Sequence, residues 1–467
     1  MLRYVSLVIA LLLPATVFAQ ADRYELGQRL RKCEQAWDVT KDGDAKQRAV
    51  APLNQAVRSF FSFDFAAVAK QLDKARHALT SSDPPSSAVL WSDSLTFRPE
   101  RRFLDTNSKH LDIEIKPLYM VADEVPKGAS ISITLCDQKP TEVSIAHLPQ
   151  TCRLWLTGIG PGDHALTIET LVGGKRLASR QIMVSCANDL ASRLEKLKNI
   201  SDKIEANATI EQATLRHLLK ITTDLASGSV METDIPAARL LREAEEVADA
   251  ILEGKQYYLS NRAGQFWLRI PTGRSLETVR VFIPERLDRA TQVPLVVALH
   301  GAGGSENLFF DAYGNGITMK LCQERGWIMV APRAGGPLGF GGAPNVVGIL
   351  DQLAKRYPID AKRIYLMGHS MGAGHAVAIA QQSPERFAGV AVLGGGGALR
   401  KPESVKSLPF FLGVGEHDFA VGSVRRLANE LKKANVVRME LKEYAHVEHM
   451  MIVREAAPDV FRFWEGK

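Results

Sequence analysis

The C-terminal part of this chain of 467 residues is predicted to form a mostly parallel, doubly wound α/β sheet. Short apolar runs alternate with helical patterns from residue 255 to residue 467, which is typical of βαβ units. Several of these runs lack polar residues, as in 294–299, and therefore suit strands that are buried on both faces. A serine between two glycines lies where one such run passes into a helical pattern.

The elements of this predicted sheet follow from the same patterns. The strands are expected at 266–270, 278–283, 295–299, 328–331, 363–367, 389–393, 410–414 and 438–444. The helices are expected at 345–355, 371–382, 423–434 and 457–464.

The preceding residues divide into three parts by the period of their apolar side chains. Residues 22–80 show helical spacing and end at a serine- and proline-rich linker, 81–87. Residues 95–187 alternate apolar and polar side chains in short segments, which predicts a small β-sandwich-like domain. Residues 188–254 return to helical spacing, and Thr-Ile-Glu-Gln at 209–212 has the form of a capping box.

The N-terminus is predicted to be a secretory signal peptide, residues 1–19. Arg3 precedes an apolar run at 5–13, and Val-Phe-Ala at 17–19 resembles a cleavage site. The run is shorter than the ~20 residues that a membrane-spanning helix needs, and no later stretch is long and apolar enough. The protein is therefore expected to be exported, periplasmic or secreted, with no integral membrane segment after cleavage.

Charge and cysteine content exclude two classes of function. The formal net charge of +6 is mild and the basic residues are scattered, which argues against nucleic-acid binding. The five cysteines, Cys33, Cys136, Cys152, Cys186 and Cys322, lack the spacing of a metal site, so no metal ligand is predicted. One disulfide among Cys136, Cys152 and Cys186 is expected in an exported protein, whereas Cys33 and Cys322 are expected in the core.

Gly-His-Ser-Met-Gly at 368–372 fits the G-x-S-x-G pattern of a nucleophile elbow. A strained strand-to-helix turn exposes the serine hydroxyl, and glycines on both sides let the strand and the helix pass closely. Ser370 is therefore the predicted nucleophile. His369 and His375 flank it and are interpreted as packing or supporting residues.

A nucleophilic serine needs a base, a group that orients the base, and donors for the oxyanion. On a parallel sheet these groups lie in loops at the carboxyl ends of strands. Asp418 follows one predicted strand and is the expected orienting group, with Glu416 as its substitute, and one of His446 and His449 after the next strand is the expected base. The resulting order of Ser, Asp and His is the order known for this arrangement.

His-Gly-Ala-Gly-Gly at 300–304 also follows a strand and is predicted to supply oxyanion donors, the amides of Ala302 and Met371. Only residues 394–408 separate two later strands, which is too short for a cap domain. The site is therefore expected to be open unless the N-terminal parts lie over it. The glycine-rich loop 333–342 is either a loop that moves over the substrate or a mobile surface loop.

Residues 256–467 resemble the α/β-hydrolase superfamily, in particular polyhydroxybutyrate-depolymerase-like and feruloyl-esterase-like serine hydrolases with a prolyl-oligopeptidase-type catalytic domain. The resemblance rests on the segments 299–305, 368–372, 415–418 and 449–453, the last followed by Ala-Pro-Asp-Val-Phe at 457–461. It implies an α/β-hydrolase fold and His449 as the base.

These observations together predict an exported serine hydrolase that cleaves carboxylic ester bonds through an acyl-enzyme. Ser370 would attack the carbonyl carbon, His449 would transfer the proton, Asp418 would orient His449, and the amides of Ala302 and Met371 would bind the oxyanion. No cofactor is expected, and the expected partner is a small-molecule or polymeric ester.

Two alternatives remain open at the level of sequence. The same triad cleaves amides, so the chain is alternatively a serine peptidase of the prolyl-oligopeptidase type. It is alternatively a binding protein with a residual hydrolase domain, in which the β-sandwich-like part and the helical parts would recognise a polymer or a cell-envelope partner.

Overall fold

The computed structural model describes residues 22–121, 124–205, 207–273, 275–285, 287, 291–336 and 339–466. The predicted signal peptide, 1–19, lies outside the described residues. Within these ranges no helix combines the length and the apolar character needed to cross a bilayer.

Four helices open the described chain. They are α1 at 22–39, α2 at Gly43–Phe61, α3 at Phe65–Thr80 and α4 at Ser87–Ser94. Short polar side chains begin three of them: Asp42 accepts a hydrogen bond from Asp44 N, Asp64 from Ala67 N, and Ser86 from Val89 N. Helices α1, α2 and α3 each bury one apolar face.

Two β-sheets follow and share one hydrophobic core. The three-stranded sheet has the order β1–β3–β6, and the five-stranded sheet has the order β2–β8–β7–β4–β5. Their strands are β1 Leu95–Pro99, β2 Phe103–Asp105, β3 His110–Pro117, β4 Ala129–Leu135, β5 Thr141–Ser144, β6 Gln150–Trp155, β7 Gly162–Val172 and β8 Lys175–Ala187. Ile113 of the first sheet and Ile133 of the second are both fully buried in this shared core.

The next three helices are α5 Leu190–Lys203, α6 Ile210–Ala226 and α7 Ala237–Leu252. The predicted capping box begins α6: the Thr209 hydroxyl accepts from Gln212 N, and the Gln212 side chain accepts from Thr209 N.

The C-terminal part contains an eight-stranded mixed sheet with the order β9–β10–β12–β11–β13–β14–β15–β16. Each of the eight predicted strands is present. They are β9 Gly264–Thr272, β10 Ser275–Ile283, β11 Val293–Leu299, β12 Ile328–Pro332, β13 Ile359–His369, β14 Gly389–Leu393, β15 Pro409–Gly415 and β16 Arg438–Tyr444. The β9–β10 and β10–β12 pairs are antiparallel and the other pairs are parallel, as the prediction of a mostly parallel sheet requires.

The helices of this part are α8 Leu308–Asp311, α9 Tyr313–Arg325, α10 Val346–Ala354, α11 Met371–Gln382, α12 Val421–Lys433 and α13 Ile452–Glu465. The sequence patterns predicted α10, α11 and α12 closely. They placed the start of α13 too late, because Pro458 lies inside this helix rather than at its beginning. They gave no bounds for α8 and α9.

The two faces of the eight-stranded sheet pack against different helices. Leu295 and Val297 of β11 face a core formed with α5–α7 and α10–α12, whereas Val296 and Ala298 face a core formed with α1–α3, α8, α9 and α13. This alternation is the pattern of strands buried on both faces. The N-terminal helices α1–α3 therefore share a core with a sheet that begins 184 residues after the end of α3.

All five cysteines are free thiols, so the predicted disulfide among Cys136, Cys152 and Cys186 is not formed. Cys136 follows β4 and Cys186 lies on β8, and β7 lies between these two strands in the sheet. Cys152 lies on β6 in the other sheet. Cys33 and Cys322 are fully buried, as predicted.

Candidate active site

Ser370 occupies a strained turn between β13 and α11. Its backbone angles are φ 56° and ψ −116°, a conformation that non-glycine residues rarely adopt. The Ser370 amide donates to the Leu393 carbonyl of the neighbouring strand at 2.9 Å, which holds the turn against the sheet. This turn directs the hydroxyl away from the sheet edge, as a nucleophile elbow requires.

The turn requires glycine on both sides of Ser370, because the backbone of α11 passes very close to β13 and to the end of β11. A Cβ atom on Gly368 would lie 2.1 Å from the Gly372 carbonyl oxygen, and a Cβ atom on Gly372 would lie 2.1 Å from the Leu299 carbonyl oxygen. Real Cβ atoms do not come this near to backbone oxygen, so any larger residue would displace α11 from β11 and β13.

Gly372→Ala is therefore expected to destabilise the protein by about 1–3 kcal/mol, the usual cost of overpacking, and to reduce any activity of Ser370. Gly422→Ala in α12 is the matched control, because a Cβ atom there would meet nothing within 4 Å. Alanine in place of a helical glycine stabilises by about 0.5–1 kcal/mol in the absence of a clash. Thermal unfolding of both variants tests this contrast, and equal melting temperatures would contradict it.

The structure brings Ser370, His449 and Asp418 into one hydrogen-bonded chain. His449 Nε2 lies 2.9 Å from Ser370 Oγ, and His449 Nδ1 lies 3.0 Å from each carboxylate oxygen of Asp418. Asp418 and His449 are 5% and 3% exposed, so bulk water does not compete for these bonds. An ionised Asp418 only accepts, which places the proton on Nδ1 and leaves Nε2 free to accept the serine proton.

The substitutes that the sequence allowed lie elsewhere. His446 Nδ1 contacts the Gln47 side-chain oxygen of α2 at 2.9 Å. Glu416 is exposed at the surface, and its amide bonds to the Tyr444 carbonyl. Neither side chain contacts Ser370 or Asp418 among the described residues.

The predicted oxyanion donors flank the nucleophile. The amides of Ala302 and Met371 have no hydrogen-bond acceptor among the residues that the structure describes, and Met371 is the first residue of α11. The loop is held by His300, whose Nδ1 donates to the Gly301 carbonyl at 2.7 Å and whose Nε2 accepts from Ala334 N at 2.9 Å. Burial lowers the pKa of His300 to about 4, so this imidazole is neutral. Its two hydrogen bonds fix the position of the loop.

A second hydrogen-bonded chain joins the oxyanion loop to the base. Gly301 N donates to the Tyr313 hydroxyl at 3.2 Å, and this hydroxyl donates to His369 Nδ1 at 2.6 Å. His369 Nε2 then donates to the His449 carbonyl at 3.0 Å. Burial, together with the nearby His449, lowers the pKa of His369 well below its usual range, which agrees with the neutral tautomer that this chain requires.

The turn that carries Tyr313 is stabilised by the N-terminal part of the chain. Gly314, Asn315 and Gly316 all have left-handed backbone conformations, and the Glu34 carboxylate of α1 accepts from Gly314 N at 2.9 Å and Asn315 N at 3.2 Å. Burial raises the pKa of Glu34 to about 7.

The site is partly covered, because α1–α3 lie over it. A cavity of about 170 Å³ is lined by Ser370, His449 and the loop 301–305 on one side and by residues of the three helices on the other. The short segment 394–408 contributes no cap, as predicted. The helical segment 22–80 therefore covers the site, where a cap domain at 394–408 is absent among the described residues.

The glycine-rich loop 333–342 packs against the oxyanion loop. Gly303 N donates to the Gly339 carbonyl at 3.3 Å, and a Cβ atom on Gly339, whose φ is +73°, would lie 2.0 Å from the Gly304 carbonyl oxygen. The described part of this loop thus has a structural contact with the site.

Sequence reasoning missed Tyr313 and Phe60 as residues of the site. Tyr313 precedes Gly-Asn-Gly, a turn signal that marks a special backbone conformation without naming its partner. Phe60 belongs to an apolar stripe that was interpreted as core. Its ring instead reaches the oxyanion loop, where a Cβ atom on Gly303 would lie 2.2 Å from Phe60 Cζ.

No family model matches the chain. The chain is 29% identical over 146 residues to the bifunctional acetylxylan esterase/xylanase XynS20E of Neocallimastix patriciarum. The match covers 30% of this chain and 21% of that protein, so the chain spans about a fifth of the length of its relative.

Similar solved structures include a ferulic acid esterase (16% identity, TM-score 0.36, 43% of this chain and 95% of that one). They also include a thermostable esterase (14%, 0.39, 80% and 99%) and Est1E from Butyrivibrio proteoclasticus with bound ferulic acid (14%, 0.35, 43% and 99%). In sequence, the chain is thus similar over part of its length to an esterase.

Proposed function

We propose that this protein is an exported serine hydrolase that cleaves carboxylic esters through an acyl-enzyme. The observation that carries the proposal is the chain from Asp418 through His449 to Ser370, on a strained turn beside two amides without acceptors. This arrangement supplies a nucleophile, a base, an orienting carboxylate and oxyanion donors in one place.

The reaction follows from these positions. Ser370 Oγ attacks the carbonyl carbon while His449 Nε2 takes its proton, and the amides of Ala302 and Met371 donate to the oxyanion. The protonated His449 then gives the proton to the leaving alcohol, and the acyl group stays on Ser370. Water attacks the acyl-enzyme with His449 again as the base, which releases the acid and restores the serine. Asp418 holds the imidazole in the tautomer and orientation that each step needs.

The name of the sequence relative supports an ester substrate, because that protein is an acetylxylan esterase as well as a xylanase. On this basis the proposed substrate is a small-molecule or polymeric carboxylic ester.

Labelling with a fluorophosphonate probe, beside turnover of short-chain p-nitrophenyl esters, tests the proposal. The wild-type protein is expected to be labelled and active, and Ser370→Ala is expected to lose both properties while keeping its fold. Labelling with turnover of peptides but not of esters would favour the peptidase. A folded wild-type protein that is neither labelled nor active would overturn the hydrolase and favour a binding role.

A further inference from the structure

One apolar wall of the cavity beside Ser370 comes from the N-terminal helices. Six of its residues are Leu26 and Leu30 of α1, Ala56, Val57 and Phe60 of α2, and Leu72 of α3. They face the loop 301–305, Ser370 and His449 across the cavity. The part of the chain that does not resemble a hydrolase thus forms one side of the candidate active site.

Direct contacts hold this wall against the loops of the site. Arg23 Nη2 of α1 donates to the Gly303 carbonyl at 2.6 Å, and Asn54 Nδ2 of α2 donates to the His417 carbonyl at 3.0 Å. The Gln47 side-chain oxygen lies 3.1 Å from His417 Nε2 and 2.9 Å from His446 Nδ1. Helix α2 therefore spans from the oxyanion loop to the loops that carry Asp418 and His449.

The charged groups around the cavity are largely paired with one another. Arg23 forms an ion pair with Glu232 at 2.6 Å, and Asp311 forms one with Arg280 at 2.6 Å. Arg31 also reaches the cavity wall, and no ion pair joins it to a described residue. The six apolar residues favour an uncharged group, whereas a negatively charged group would be favoured only next to Arg31.

The size of the cavity limits the group that fits. Its volume is about 170 Å³, and an apolar cavity of ~150 Å³ lined by aliphatic and aromatic side chains is known to bind benzene. A group of roughly six carbon atoms, in a ring or a short chain, would fill it.

We propose that α1–α3 form the acyl pocket of this enzyme and that it takes uncharged, apolar acyl groups of this size. The proposal rests on the proposed function, since it needs an acyl group on Ser370. The acyl side is favoured because the cavity extends past the oxyanion loop to Leu308 and Ala312, whereas the base side contributes only His449 and Met450. The leaving alcohol must instead lie near His449 Nε2, from which it receives its proton.

Filling the pocket tests the assignment. Ala56 is 2% exposed and lines the cavity, so Ala56→Leu is expected to lower kcat/KM for p-nitrophenyl hexanoate about tenfold or more relative to p-nitrophenyl acetate. Ala51→Leu is the matched control, because Ala51 is exposed on the same helix, and its hexanoate-to-acetate ratio is expected to equal that of the wild type. Val57→Ala removes bulk from the same wall and is expected to shift the preference toward acyl chains longer than hexanoate.

Each outcome separates this proposal from the one on which it rests. No turnover of acetate or hexanoate by the wild type would defeat the proposed function itself. Active variants with an unchanged hexanoate-to-acetate ratio would overturn the acyl pocket, and Val57→Ala decides the matter if Ala56→Leu does not fold. The assignment to the acyl side is wrong if the substitutions instead change the selectivity among acetate esters of different alcohols. The preference for uncharged acyl groups is wrong if the wild type hydrolyses a succinate half-ester faster than a butyrate ester.

Discussion

Replacing His449 with alanine is expected to lower kcat for ester hydrolysis by ~10⁵–10⁶-fold, the scale seen when a triad histidine is removed. The imidazole is the only side chain within hydrogen-bond reach of Ser370 Oγ among the described residues. Without it the serine keeps its proton, and the leaving alcohol has no acid. Single-turnover and steady-state kinetics with p-nitrophenyl esters would measure the loss, and circular dichroism would show that the fold is kept.

His446→Ala is the control for this experiment, because the sequence alone allowed either histidine as the base. His446 bonds to Gln47 and does not contact Ser370. Its replacement is expected to leave kcat within a few-fold of the wild type. A large loss in His446→Ala with an active His449→Ala variant would reverse the assignment.

Asp418→Asn is expected to lower kcat by about 10⁴-fold while changing the volume of the side chain very little. The carboxylate accepts from His449 Nδ1 through both oxygens, at 3.0 Å each. An amide group instead donates to Nδ1, which moves the imidazole proton to Nε2. Nε2 then faces Ser370 as a donor and cannot take its proton.

The matched control is Glu416→Gln, the same chemical change two residues earlier at an exposed position. It is expected to leave both kcat and KM close to the wild-type values. Comparison of the two variants over pH 6 to 9 in the same ester assay checks the prediction. Equal losses of kcat in both variants would mean that the loss comes from removing a negative charge in this loop and not from a change in the orientation of His449.

Much of the C-terminal sheet could be predicted because its signals are local. A run such as Leu295–Leu299 is apolar throughout, and only a strand buried on both faces, or a longer helix, tolerates that pattern. The loops that carry Ser370, Asp418 and the two candidate histidines could also be located, since the carboxyl ends of parallel strands meet at one edge of the sheet. Topology thus turned separate loop residues into one predicted site. The choice of His449 over His446 came from the resemblance and not from this topology.

The remainder depends on contacts that no local pattern encodes. The stripe of Leu26 and Leu30 predicts a buried face on α1, but it does not say that this face covers a cavity beside Ser370. The Gly-Asn-Gly turn after Tyr313 predicts an unusual backbone, but its support by Glu34 of α1 joins residues 280 positions apart. The disulfide prediction was wrong because it used nearness in sequence, which does not give two cysteines the specific geometry that a disulfide needs.

The placement of α1 has a consequence for the order in which the protein becomes functional. Trp37 Nε1 of α1 donates to Glu455 Oε1 of α13 at 2.7 Å, across a sequence separation of 418 residues. Contacts this distant require the closure of a very long loop, so they form late relative to local helices. Helix α1 is thus expected to dock in its final position, and to complete the pocket wall, only after α13 has been synthesised. A chain that stops short of α13 lacks both His449's supporting helix and the anchor of α1, so incomplete products would carry no assembled site.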